Sequence, residues 1–133
     1  MRRVIVLALA ALLVGCDAGT NAPEVDIAVD VPDKNGSGIY GTAEVTRISE
    51  EAVRIVLALD GAVPDERQLP AYLILGGCSS FEPQVAAELE PVIGGKSISE
   101  VDVALADITA SSYGLAVGSD DPDRYVACGD LVP

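Results

Sequence analysis

The sequence predicts an all-β domain, a sandwich or barrel of eight short strands. Three observations carry that expectation. Apolar and polar residues alternate with a period of two through most of the chain after residue 24, the apolar positions are rich in Val and Ile, and Gly, Pro, Asn and Asp recur between the alternating stretches. No helix of ordinary length stands out, and many short strands parted by turn residues argue for a packed β architecture.

In chain order, Val25, Ile27, Val29 and Val31 alternate with Glu24, Asp26, Ala28 and Asp30, which predicts the first strand. Pro32 to Gly38 is dense in turn formers, and Asn35-Gly36 suits positive φ. Asn35-Gly36-Ser37 also matches a glycosylation sequon and is read here only as a turn. Ile39–Ile48 is rich in β-branched residues, and Ala52–Leu59 puts Val53, Ile55, Leu57 and Leu59 on one face, so two strands joined at Ser49-Glu50-Glu51 are expected. A helix through Ser49–Leu59 is the alternative, because Ser-Glu-Glu can start one. Asp60–Pro70 is a loop by its Gly61, Pro64 and Pro70, and Ala71–Leu75 is a short apolar strand. Beyond the loop at Ser79–Pro83, Val85, Ala87 and Leu89 are expected to face one way and Gln84, Ala86 and Glu88 the other, and Pro91–Gly95 turns the chain. Ile98–Leu105 is the next expected strand, with Val101, Val103 and Leu105 inward and Glu100 and Asp102 outward. Asp107–Ser111 connects to a strand at Tyr113–Val117, Gly118–Asp123 is an acidic turn, and Arg124–Cys128 completes the eight.

Ahead of these strands, Arg2 and Arg3 precede an unbroken run of eleven apolar residues, Val4–Val14, and the small Gly15. That is the pattern of an export signal. As a helix the run reaches about 16 Å, too short for the roughly 30 Å of bilayer hydrocarbon. Leu13-Val14-Gly15-Cys16 resembles the bacterial lipoprotein box. The resemblance implies a diacylglyceryl group on the Cys16 sulfur, cleavage before Cys16 and acylation of the new amino terminus. Asp17 resembles the signal that retains enterobacterial lipoproteins in the inner membrane. The expected organisation is a signal peptide at 1–15, a lipidated tether at 16–24 and a β domain at 25–133, facing the extracytoplasmic side of the envelope, the periplasm in a Gram-negative cell. Two or three acyl chains suffice for firm anchoring, since each buried methylene contributes about 0.8 kcal/mol.

The whole chain of 133 residues carries a formal net charge of −13, and the signal peptide holds two of its eight basic residues and none of its twenty-one acidic ones. The mature surface is therefore more acidic still. It repels phosphate backbones and anionic head groups, so nucleic acid is not an expected partner and only the acyl group should touch the membrane. By length, residues 16–133 form one domain with one core. With no Trp and one Phe, that core must be built from Val, Ile, Leu and Ala.

Cys78 and Cys128 remain once Cys16 is lipidated, and an exported pair is expected to be bridged. Their spacing and the small number of other ligands exclude a CxxC redox motif or a zinc site.

Ala71-Tyr72-Leu73-Ile74-Leu75-Gly76-Gly77-Cys78, Val101-Asp102-Val103-Ala104-Leu105, Tyr113-Gly114-Leu115-Ala116-Val117-Gly118 and Tyr125-Val126-Ala127-Cys128-Gly129-Asp130 together carry a likeness: in these blocks the chain resembles small secreted bacterial domains related to copper-zinc superoxide dismutase. It spans about residues 25 to 130 as an order of blocks and is specific around the two cysteines. It implies an eight-stranded Greek-key barrel with a bridge tying a loop to the last strand. Where such domains carry histidines, this chain has Tyr72, Ile74 and Gly118, and it contains no histidine anywhere.

Other catalytic patterns fail residue by residue. Without histidine there is no Ser-His or Cys-His nucleophile, and neither Lys34 nor Lys96 follows a serine at the Ser-x-x-Lys spacing. Gly94-Gly95-Lys96-Ser97 ends like a phosphate loop, but Glu90 occupies the place of its first glycine and a strand is expected to follow. Glu88 and Glu90 could share a strand face as a carboxylate pair, with no sugar cleft indicated. Asp120, Asp121 and Asp123 are weak calcium candidates in a turn without the EF-hand pattern. The expectation is a non-catalytic, lipid-anchored interaction or structural module that needs no cofactor and meets another envelope protein. The alternatives are a copper- or zinc-handling, dismutase-like protein and a weak calcium module.

Overall fold

The computed structural model describes residues 24–65, 67–79, 84–118 and 124–131. Among the described residues eight strands form where the sequence predicts them, with adjusted ends: β1 (Ile27–Val31), β2 (Ile39–Arg47), β3 (Val53–Gly61), β4 (Ala71–Leu75), β5 (Gln84–Glu88), β6 (Lys96–Val101), β7 (Tyr113–Gly118) and β8 (Tyr125–Asp130), with a six-residue helix α1 (Leu105–Ala110) between β6 and β7. One antiparallel sheet runs β1-β2-β3-β6 and the other β5-β4-β7-β8. Their facing sides share one core, in which Val31, Val45, Ile55 and Leu57 meet Leu73, Leu115, Val117 and Ala127. These are the β-branched and aliphatic residues that the alternation places on one face of each strand.

The segment from Ser49 is a hairpin and strand rather than a helix, with Ile48 and Ser49 N–H both donating to the Ala52 carbonyl and Val53 pairing with Arg47. The Asn-Gly turn forms as expected, with Asn35 at φ 57° and Gly36 at φ 65°. It is also a tether: the Asn35 side chain donates to the Tyr125 carbonyl at 3.0 Å, and Lys34 N–H donates to the Val126 carbonyl at 2.9 Å. Cys128 N–H donates to the Pro32 carbonyl at 3.1 Å, so the segment after β1 is stitched to β8 across the two sheets. Gly129 permits this approach, because a Cβ there would lie 2.5 Å from the Asp30 carbonyl oxygen.

Three expectations are corrected. The strand expected at Ile98–Leu105 instead spans Lys96–Val101, and Leu105 opens α1, whose Ile108 is fully buried. The inward residues of β6 are thus Ser97, Ser99 and Val101. Both serines are satisfied across to the other sheet's chain: Ser97 Oγ donates to the Glu90 carbonyl at 2.6 Å, and Glu90 N–H donates to Ser99 Oγ at 2.8 Å. A buried hydroxyl paired in this way avoids the penalty of an unmet one. Finally, Val85 does not share the inward face of Ala87 and Leu89 but is 53% exposed. The register shifts between Leu73 and Ile74, so that Ala87 faces Leu73 while Val85 faces Ile74, and a bulge of this kind reverses the facing of every residue beyond it.

Candidate functional site

The face of the second sheet turned away from the core is the most distinctive surface. Tyr72 and Ile74 project from β4 on this side, as their spacing predicts, beside Gly114, Ala116 and Gly118 of β7 and Tyr125 and Cys128 of β8. Sheet faces away from a core are ordinarily solvated in antiparallel folds. Here Ile74 and Ala116 are 0% exposed and Cys128 1%, a second small apolar cluster bordered by Tyr72, Tyr125 and Cys78.

Cys78, in the turn after β4, packs against this cluster and is bridged to Cys128, with Cα atoms 5.8 Å apart. Cys78 N–H donates to Asp130 Oδ1 at 2.7 Å, giving the turn a second attachment to β8. Gly114 leaves room for it, since a Cβ there would stand 3.3 Å from Ile74 Cγ1 and 3.4 Å from Cys78 Sγ. Gly118 lies under Pro70 and beside the Tyr72 ring, at 3.1 and 3.8 Å from where its Cβ would be.

Next to this cluster an open groove of about 310 Å³ runs along the end of β4 and β5. Tyr72 and Glu88 are direct cross-strand partners and both line it, with Gln68, Pro70 and Pro91 from the flanking loops. Sequence reasoning missed this groove. Gln68, Tyr72, Glu88 and Pro91 come from separate segments that only strand pairing brings together.

Of the other residues singled out, Glu90 is fixed through its backbone to Ser97 and Ser99, and Gly94 and Gly95, both at positive φ, turn the chain directly into β6 as a plain turn does. Cys16, Asp120, Asp121 and Asp123 lie outside the described residues. Among the described residues no three Asp, Glu or Cys side chains gather as metal ligands, and no helix is long and apolar enough to cross a membrane.

Fold and site define a small all-β domain of two antiparallel sheets, one of which carries a disulfide-clamped apolar cluster on its outer face. Compared with known proteins, the chain matches no family model, no curated protein and no solved structure.

Proposed function

We propose that this protein is a lipid-anchored, non-catalytic interaction module of the bacterial cell envelope. In this reading the domain is a Greek-key barrel of the superoxide dismutase type whose metal face has been rebuilt as packing surface. The observation that carries it is the outer face of β4, β7 and β8. Tyr72, Ile74 and Gly118, which stand where the resemblance places histidines, lie there with Ala116 and the Cys78–Cys128 bridge, and Ile74 is fully buried. An aliphatic side chain, an aromatic ring and a hydrogen atom offer none of the imidazole nitrogens that copper and zinc take in sites of this kind. The strand order, the β1–β8 stitching and the serine bridge from β6 to Glu90 support the barrel. The anchor rests on Leu13-Val14-Gly15-Cys16, and the partner is another envelope protein rather than nucleic acid, given a net charge of −13.

Two measurements test the reading. Growth with a fatty-acid analogue is expected to label the wild-type protein and spare Cys16→Ser; release of the wild type as a soluble, unacylated product refutes the anchor. Protein exported in metal-rich medium and dialysed is expected to hold well under one equivalent of copper or zinc and to show no dismutase activity. A stoichiometric, chelator-resistant metal, or activity above a denatured control, replaces this reading with a metal-handling one.

A further inference from the structure

We infer that the groove beside Tyr72 receives a cationic side chain, arginine or lysine, projected from an extended segment of a partner protein. This deepens the reading of the domain as an interaction module and rests on it. The groove pairs two features that together select a cation: the ring of Tyr72 and, directly across the β4–β5 ladder, the carboxylate of Glu88. A guanidinium or ammonium over a tyrosine ring is held by the ring's negative face, and a carboxylate at its edge adds charge and hydrogen-bond acceptors. Gln68 supplies a further polar contact, while Pro70 and Pro91 form stiff apolar walls suited to the methylene stem of a long basic side chain.

Size and shape favour a side chain on a larger partner over a free small molecule. Small-molecule sites enclose most of their ligand in about 300–1,000 Å³. This groove, at about 310 Å³, reaches only the lower end of that range and lies open to solvent. Charge complementarity points the same way, because a chain with a formal charge of −13 draws basic partners and repels acidic ones. Tyr72 packs against the neighbouring cluster of Ile74, Ala116 and Cys128, and Ala71 and Leu89 of the groove lining are themselves buried, so little ordering is needed on binding.

The test uses the mature protein as exported by its own cells, in nonionic detergent micelles, and a capped peptide, Gly-Arg-Gly-Arg-Gly, followed by NMR. Titration is expected to shift backbone amides of β4 and β5, with a weaker response as salt rises. The same peptide with citrulline for arginine, which keeps shape and loses charge, is expected to bind about three- to tenfold more weakly. Glu88→Gln and Tyr72→Leu are each expected to reduce arginine-peptide affinity by a similar factor, Glu88→Lys to abolish it, and Tyr72→Phe to retain it. Glu44→Gln, on the other sheet, is the control and should leave it unchanged. Equal binding of the arginine and citrulline peptides, shifts confined to other surfaces, or no loss in Glu88→Gln overturns the inference. Such a failure leaves the anchor and metal tests untouched, whereas acylation failure or dismutase activity would remove the wider reading even if the peptide bound.

Discussion

Replacing Cys128 with alanine is expected to lower the unfolding free energy by about 2–5 kcal/mol, a large part of the roughly 5–15 kcal/mol available to a domain of this size. The bridge closes a loop with a sequence separation of 50, and in the chain-entropy model a crosslink of that span contributes about 4 kcal/mol by restricting the unfolded chain. It has a local role as well. Cys78 packs against the cluster of Ile74 and Ala116, and without the bridge its turn keeps the Cys78 N–H bond to Asp130 and the Gly76 N–H bond to the Ser112 carbonyl. Urea unfolding of the exported protein, with and without a reducing agent, checks this. Reductant should shift the wild-type midpoint down to that of Cys128→Ala and leave the variant where it is. A wild type whose midpoint ignores reductant contradicts the prediction.

The second large effect is expected at Ile74. Ile74→Ala should cost about 2–4 kcal/mol, as for any fully buried isoleucine, because the cavity cannot fill between the sheet and the clamped turn. Ile98→Ala should change stability by only about 0.5 kcal/mol or less. Both isoleucines point away from the main core, yet Ile74 is 0% exposed and Ile98 53%. Paired denaturant melts of the two variants decide the matter, and similar losses for both would show that the cover over Ile74 is not tightly packed.

That contrast marks where the sequence ceases to be legible. Alternation identified Val53, Ile55, Leu57 and Leu59 as one face, which is buried, because side chains two apart on a strand must point the same way. It could not distinguish Ile74 from Ile98, since the difference lies in what covers each face. It also misplaced Val85, because one extra residue in β5 reverses the facing and leaves no mark in the apolar pattern. Ser97 and Ser99 were passed over for the same kind of reason. Their inward position depends on a backbone group at Glu90 that receives them, and a hydrophobic pattern does not register a satisfied hydroxyl.

By itself the sequence determined the all-β class, the approximate places of eight strands, the turn at Asn35-Gly36, the pairing of Cys78 with Cys128 and the absence of any imidazole. These are local or compositional properties, carried by period, turn chemistry and residue count. Only the tertiary structure decided the strand order, the burial of the outer face around Ile74, and the meeting of Tyr72 with Glu88 in a groove. Each of these arises from contacts between segments distant along the chain, and a period of two says which way a side chain points but not what it will meet there.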